Sequence, residues 1–282
     1  MTVRVVTDST ADLPAGLAAE RRIEVVPLTV LFGDEQFRDG VDITASEFYA
    51  RLARAAELPT TSQPPPALFR EAYERLIADG ATEILSIHVS GKLSGTLDSA
   101  RQGAQGLDAR IVHVDSQMAS LAVGIGVLRA ADAIADGASL DEAAAVVETQ
   151  FGRTHVYIVL DTLEYLRRGG RLGRASAVIG TMLKVKPVLS FVDGEVAQLA
   201  RGRTQAKALE VSLKLAAEQA PFEYMTMMHT SSRDGVDALL DRLKSASPDA
   251  TVVNGQMGPA IGVHAGPRTL AFAVVSSPSS DG

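Results

Sequence analysis

Short apolar runs alternate with helical patterns along the first half of the chain, and this alternation constrains the fold more than any other feature. The runs occupy residues 3–7, 23–31, 84–89, 111–114 and 156–160. Strands inside a parallel sheet are buried on both faces, so they appear as continuous apolar runs separated by crossover helices. The pattern therefore predicts an α/β fold in which residues 1–160 form a mostly parallel sheet flanked by helices.

The second half of the chain carries a β-hairpin signal. Residues 188–192 and 195–199 flank Asp193-Gly194, a pair that supplies the positive φ angles of a tight turn. Because 282 residues exceed the usual size of one core, we expect a second domain over residues 161–282, an α+β unit with an antiparallel or mixed sheet. Helical patterns at 205–219 and 234–245, strand patterns at 224–229, 250–253 and 270–275, and a frayed tail at 276–282 complete this unit.

The composition excludes several classes of function. The chain has no cysteine and five scattered histidines, which argues against a disulfide framework, thiol catalysis and a metal centre, and no cofactor is expected. Its formal net charge of −7 gives no broad basic face for nucleic acid. Arg4 and Asp8 interrupt and end the first apolar run, unlike the apolar core of a secretion signal, so we expect a cytoplasmic protein.

Hydroxyl-rich segments are candidates for an anion site. Residues 7–14 follow the first strand and are expected to border a pocket at the end of the sheet. Thr61 and Ser62 lie between Pro59 and Pro64, which restrict the backbone and suit the capture of a small anion, although a polar loop or a helix cap is equally consistent. Because prolines cannot continue a strand ladder, residues 59–66 are predicted to form an ordered loop or the beginning of a helix.

A second loop, Ser-Gly-Lys-Leu-Ser-Gly-Thr at 90–96, follows a predicted strand and opens a helix. Backbone N–H groups at the start of a helix bind anions, and a small residue such as Gly95 permits close approach. The spacing of a nucleotide-binding phosphate loop is absent, so a carboxylate fits as well as a phosphate beside Ser94.

Arg171 and His264 are the remaining candidates. Arg171 is one of three arginines set among glycines at 167–173, and an arginine can clamp a carboxylate with two parallel hydrogen bonds. An exposed basic loop is the commoner fate of such a segment. His264 lies among small residues at 258–267; an isolated histidine is more often structural than functional.

Together these segments are far more specific than any one of them. They are Thr-Asp-Ser-Thr-Ala-Asp-Leu-Pro at 7–14, Pro-Thr-Thr-Ser-Gln-Pro at 59–64, Ser-Gly-Lys-Leu-Ser-Gly-Thr at 90–96, Val-Asp-Ser at 114–116, Leu-Glu-Tyr-Leu-Arg-Arg-Gly-Gly-Arg-Leu-Gly at 163–173 and His-Ala-Gly-Pro at 264–267. In this order, over essentially the whole chain, they resemble the DegV family of fatty-acid-binding proteins. The family pattern usually has glycine where this chain has Arg268, so we expect an altered rim of the site or an altered docking surface.

The resemblance implies a two-domain protein that holds a long-chain fatty acid in a buried tunnel. It implies a carrier and not an enzyme, namely the acyl-carrying component of a bacterial fatty acid kinase, which presents the carboxylate to a separate ATP-dependent kinase subunit. Carried over by motif, the residues expected to bind the fatty acid are Thr61, Ser94, Arg171, His264, Ser62 and Gly95. Transient membrane contact is compatible with this role. An enzyme acting on a small hydroxylated anion and a lipid-sensing regulator stay open as alternatives.

Overall fold

A computed structural model of the chain describes residues 2–176, 185–233 and 235–278. The strands are β1 Val3–Asp8, β2 Glu24–Val26, β3 Thr29–Phe32, β4 Glu35–Arg38, β5 Thr60–Ser62, β6 Glu83–His88, β7 Arg110–Asp115, β8 Thr154–Val159, β9 Lys186–Val192, β10 Glu195–Gly202, β11 Phe222–His229, β12 Thr251–Val252, β13 Gly255–Gln256 and β14 Leu270–Ser276. The helices are α1 Leu17–Glu20, α2 Ala45–Leu52, α3 Pro66–Ala78, α4 Thr96–Gly103, α5 Leu121–Ala135, α6 Leu140–Gly152, α7 Glu164–Arg168, α8 Gln205–Ala217, α9 Val236–Ala246 and α10 Pro259–Ala265. Position 234 of the predicted helix and positions 279–282 of the predicted tail lie outside the described residues.

The first sheet is parallel and has the strand order β2-β1-β6-β7. Successive side chains of a strand point to opposite faces, so Val5 and Val6 of β1 enter different cores. Val6 packs with α3 and α4, whereas Val5 packs with α5 and α6. Helices thus cover both faces of the sheet, and the predicted α/β class is confirmed.

The second sheet is mixed, with the order β10-β9-β8-β14-β11-β12 and with β13 paired to β11. The predicted hairpin is confirmed: β9 and β10 pair antiparallel, and the turn residues Asp193 and Gly194 have φ angles of +50° and +81°. Helices α8 and α9 pack on one face of this sheet. The predicted two-domain division at residue 160 stays a prediction.

The assignment of residues 156–160 to the parallel sheet is wrong. This run forms β8, which pairs antiparallel with β9 and β14 of the mixed sheet. An apolar run that is buried on both faces has the same sequence pattern in either sheet, so only the pairing distinguishes the two.

Helix α5 packs against both sheets and joins them into one core. Its buried residues, among them Leu121 and Val123, pack in one cluster with Leu85 of the parallel sheet and with Met228 and Ala271 of the mixed sheet. Residues 118–128 contain no charged side chain, a composition that suits a buried helix, and α5 begins within them. Across the described ranges, no helix has both the length and the apolar character needed to cross a bilayer.

A third, antiparallel sheet has the order β4-β3-β5 and packs against α2 and α10. It corrects the prediction that residues 59–66 form a loop or the beginning of a helix, because Thr60–Ser62 pair with β3. Pro59 and Pro64 lie outside the three paired residues, so neither removes a ladder hydrogen bond. Pro66 begins α3, a position that tolerates proline, so only this end of the segment follows the prediction.

Candidate functional site

The carboxyl ends of the parallel strands border a cavity. Thr10 follows β1, Ser94 follows β6 and Ser120 follows β7, and all three line this space, as predicted for the segment 7–14. Strands β1 and β6 are neighbours from which the sheet extends in opposite directions, which is where open parallel sheets bind their ligands. The mixed sheet and α10 form the opposite wall.

The wall of this cavity is mostly apolar. The mixed sheet contributes buried side chains such as Leu189, Met228 and Ala271. The space between the lining atoms, including the part that opens to solvent, is about 880 Å³. Within the described residues, the polar members of the lining are Thr10, Thr61, Ser94, Ser120, Arg171 and His264. A largely apolar cavity with a few convergent polar groups is typical of a small-molecule site.

Thr61 Oγ1 and His264 Nε2 lie 2.9 Å apart, although 203 positions separate the two residues in the chain. Thr61 is the central residue of β5, paired with Val30, and strand alternation turns its side chain toward the cavity. His264 lies in α10, which packs on the same small sheet. The third sheet therefore brings this pair together.

Arg171 lies close to the same pair. Its Nε donates to the Leu93 carbonyl at 3.0 Å and its Nη1 donates to the Gly169 carbonyl at 2.7 Å. These bonds occupy two of the five N–H groups of a guanidinium and fix its plane. The remaining N–H groups of Arg171 are the donors with which it can bind an anion.

Ser94 completes the polar end of the cavity. Its Oγ lies 2.7 Å from Thr96 Oγ1 and accepts a hydrogen bond from the Thr96 N–H at 3.3 Å, just before α4 begins. The start of a helix carries partial positive charge, which favours an anion beside Ser94. A Cβ at Gly95 would lie 2.3 Å from Gln63 Oε1, so glycine lets this loop approach β5, and Gln63 Nε2 donates to Ser99 of α4 at 3.1 Å.

The structure places four of the six predicted site residues, Thr61, Ser94, Arg171 and His264, on the lining of one cavity. The described lining does not include Ser62 or Gly95. Ser62 is exposed, and strand alternation turns it away from Thr61. A direct role of Ser62 and Gly95 in binding a ligand stays a prediction.

The site carries its positive charge on Arg171 and not on His264. Burial, reinforced by the neighbouring Arg171, lowers the pKa of His264 to about 4, so its imidazole is neutral at pH 7. The Nδ1 atom of His264 is buried and has no hydrogen-bond partner among the described residues. One guanidinium among neutral donors suits a singly charged anion such as a carboxylate.

Two polar lining residues, Thr10 and Ser120, were not predicted to bind anything. Each donates its hydroxyl proton to a buried carboxyl group: Thr10 to Asp8, and Ser120 to Asp12 at 2.5 Å. Burial raises the pKa of Asp12 well above its usual range. Thr10 lies in the segment singled out at 7–14, but Ser120 contacts Asp12 across 108 positions, which leaves no local signal. In the part of the chain described, no cluster of three His, Asp or Glu side chains could hold a metal ion.

The fold and the cavity together define an α/β protein with a mostly apolar cavity that holds a few hydrogen-bond donors. The family model described as "Uncharacterised protein, DegV family" matches residues 2–277. The chain belongs to the DegV family, as its motifs indicate. A DegV domain-containing protein of Streptomyces coelicolor is 38% identical over 97% of this chain and 98% of its own length.

Solved structures of similar proteins agree with this fold. The DegV family protein of Thermus thermophilus is 37% identical and has a TM-score of 0.92, over 98% of this chain and 100% of that one. The DegV protein of Bacillus subtilis is 31% identical and has a TM-score of 0.90, over 98% of this chain and 100% of that one. The first is described by its fatty acid binding and the second as a fatty acid binding protein.

Proposed function

We propose that this protein binds a long-chain fatty acid in the cavity, with the carboxylate at Thr61, Ser94, Arg171 and His264. The observation that carries the proposal is the convergence of these four polar groups, from four separate segments, on one largely apolar cavity. The similar proteins of Thermus thermophilus and Bacillus subtilis, both described by fatty acid binding, support it.

The polar groups match the needs of a carboxylate. An ionised carboxylate only accepts hydrogen bonds, and burying it without partners costs roughly several kcal/mol. Arg171 supplies the positive charge and free N–H groups, while the hydroxyls of Thr61 and Ser94 supply further donors. The head group is therefore neutralised and hydrogen-bonded at the same end of the cavity.

The apolar lining matches the needs of an acyl chain. Burial contributes roughly 0.8 kcal/mol per CH₂, or on the order of 10 kcal/mol for a chain of about 15 carbons before the costs of binding. Three of the residues that would contact the chain, Leu189, Met228 and Ala271, are at most 2% exposed. Most of the binding free energy thus comes from the chain, and the head group fixes its orientation.

The exposure of residues around the cavity supports the carrier role. Ser62 and Gly170, which are next in sequence to Thr61 and Arg171, are exposed, whereas most of the apolar lining is buried. Phosphoryl transfer requires the acceptor oxygen to lie in line with the γ-phosphate, so a held chain with a carboxylate near the surface suits delivery to another protein. The protein accordingly presents the acid to an ATP-dependent kinase subunit and does not itself catalyse the transfer.

Native mass spectrometry tests the binding step. Purified protein is stripped of lipid and then given palmitate, and a one-to-one complex is expected. Arg171→Met is expected to weaken the complex, and Arg168→Met is the matched control because Arg168 is exposed and pairs with Glu164. A cavity that stays empty, or that retains a small hydroxylated anion, would favour the alternative of an enzyme acting on such an anion.

Incubation with a bacterial fatty acid kinase subunit and ATP tests the presentation step. Palmitate-loaded protein is expected to yield acyl phosphate, and the Arg171→Met variant is expected to yield less at equal total palmitate. Binding of palmitate without any acyl phosphate would contradict the carrier role and favour a lipid-sensing regulator.

A further inference from the structure

Gly169 lies against the imidazole of His264. A Cβ built on Gly169 would lie 2.2 Å from His264 Nδ1, far inside van der Waals contact, so the ring edge occupies the space of the missing side chain. Nδ1 is buried and no described residue offers it a hydrogen bond. The polar backbone groups of Gly169 are engaged elsewhere, since its N–H donates to the Tyr165 carbonyl at 2.9 Å and its carbonyl accepts from Arg171 at 2.7 Å.

This packing discriminates between the two tautomers of His264. The ring is neutral at pH 7 because burial and Arg171 lower its pKa to about 4, so a single proton resides on Nδ1 or on Nε2. A proton on Nδ1 would create a buried N–H with no acceptor, which is rarer in proteins than an unpaired acceptor. A bare Nδ1 instead faces the Cα–H of Gly169, a weak but favourable contact.

Binding of a carboxylate by Thr61 also requires the proton of His264 to be on Nε2. A carboxylate only accepts hydrogen bonds, so Thr61 must donate its single hydroxyl proton to the ligand. Thr61 Oγ1 and His264 Nε2 are 2.9 Å apart, so Thr61 is free to donate to the ligand only if it accepts from Nε2. With the proton on Nδ1, Thr61 would donate to the ring and turn its lone pairs toward the carboxylate.

We infer that Gly169 is a positioning residue that holds His264 as the Nε2–H tautomer, so that His264 donates to Thr61 and Thr61 donates to the carboxylate. The inference rests on the proposed function. The segment 168–171 then has two roles, because Arg171 supplies the charge and Gly169 sets the direction of the hydrogen bonds. Arg171 also holds the Gly169 peptide in place through its 2.7 Å hydrogen bond.

Nitrogen NMR of protein with 15N-labelled histidine tests the inference directly, without and with palmitate at pH 7. The His264 signals are identified by their loss in His264→Gln. We expect the 15N chemical shift of Nε2 in the range of a protonated nitrogen and that of Nδ1 in the range of an unprotonated nitrogen, both without and with palmitate. The reverse pattern in the palmitate complex would overturn the inference. If wild-type protein fails to bind palmitate, the proposed function fails, and the tautomer is still read from the free protein.

Substitutions give a second, independent readout. The amide nitrogen of Gln lies near the position of Nε2 and that of Asn near Nδ1, so His264→Gln is expected to bind palmitate at least tenfold more tightly than His264→Asn. Gly169→Ala is expected to weaken palmitate binding at least tenfold. Gly152→Ala is the control, because a Cβ there has open space. Equal affinities for the Gln and Asn variants, with both folded by circular dichroism, would contradict the inferred direction of donation.

Discussion

Two clusters of polar side chains in this protein contain similar chemical groups but differ in how many hydrogen bonds they have left to make. The core cluster is Asp8, His88, Ser86 and Tyr73, inside the parallel sheet and against α3. The cavity cluster is Thr61, Ser94, Arg171 and His264. Every member of the core cluster is fully buried, whereas all four members of the cavity cluster are partly exposed.

The members of the core cluster hydrogen-bond to one another. Asp8 Oδ2 lies 2.9 Å from His88 Nδ1 and accepts from the Val89 N–H at 3.2 Å. His88 Nε2 lies 2.7 Å from Ser86 Oγ, which in turn lies 2.8 Å from the Tyr73 hydroxyl. Ser86, His88 and Asp8 have the connectivity of a hydrolase triad, yet the Ser86 hydroxyl is held between two partners inside the sheet.

The cavity cluster leaves donors unused. Arg171 bonds to two backbone carbonyls and retains further N–H groups, and the Thr61 hydroxyl has one partner in His264. The comparison teaches that a polar cluster indicates a binding site when its donors and acceptors face a cavity and are not already paired with other groups of the protein. The identity of the residues alone does not separate the two cases.

The largest effect is expected from a substitution that breaks the core cluster. Asp8→Ala leaves His88, the Val89 N–H and Thr10 without their acceptor, so the free energy of unfolding is expected to fall by about 3–5 kcal/mol. Urea denaturation measures this, with Asp34→Ala in the exposed β3–β4 turn as the control. A variant as stable as the Asp34 control would show that the core cluster is not needed for the fold.

The next effect concerns affinity. Arg171→Met removes the only charge of the cavity cluster, and a hydrogen bond to a charged group contributes about 1.5–3 kcal/mol, so palmitate affinity is expected to fall at least tenfold. Calorimetric titration of palmitate measures it, with Arg168→Met as the control. Unchanged affinity would place the carboxylate elsewhere.

Neighbouring residues on β5 sharpen the comparison further. Thr61→Val keeps the shape of the side chain and removes one donor, so we expect a loss of about 1.5 kcal/mol in palmitate binding and little change in stability. Ser62→Ala changes the exposed side of the same strand and is expected to leave affinity within twofold of wild type. If Ser62→Ala weakens binding as much as Thr61→Val does, the assignment of the cavity face is wrong.

His264 also gives stability a pH dependence. Its pKa of about 4 lies below the value of an unfolded histidine, so the unfolded chain binds more protons and stability rises as pH increases from 4 to about 6.5. Burial raises the pKa of Asp39 to about 7, which acts in the opposite direction over much of this range. The difference between wild type and His264→Gln in urea titrations at pH 4.5 and 7 isolates His264, and equal differences at both pH values would contradict the lowered pKa.

The smallest effect is expected at Arg268, which lies outside both clusters. Its φ of +56° is the left-handed conformation that glycine adopts without strain, and its exposed guanidinium pairs with Asp161. Arg268→Gly loses a surface ion pair and relieves the strain, so stability is expected to change by less than about 1 kcal/mol. Palmitate affinity is expected to stay at the wild-type value, and a tenfold change would assign Arg268 to the site.

The sequence predicted what depends on local pattern. Apolar runs gave most of the strands, Asp193-Gly194 gave the hairpin, and the family motifs gave the four residues of the cavity cluster. It did not predict what depends on pairing between distant segments. Strand β8 belongs to the mixed sheet because it pairs with β14, more than 110 positions away. Thr60–Ser62 form a strand because they pair with β3.

The same limit applies within the site. No local pattern indicates that Ser120 donates to Asp12, or that the His264 ring occupies the space that a side chain at position 169 would need. Ser62 follows Thr61 in the same motif, and only the alternation of β5 separates the two. Motifs thus indicated the residues of the cavity cluster, and tertiary packing decides which atoms face the cavity.

A crystal structure of the palmitate complex tests the central claim most directly. The carboxylate is expected within hydrogen-bond distance of Thr61 Oγ1 and the Arg171 guanidinium, with the acyl chain extending between the sheets toward Met228. A carboxylate found beside Ser120 and Met228 and away from Arg171, or an acyl chain bound outside this cavity, would contradict the account.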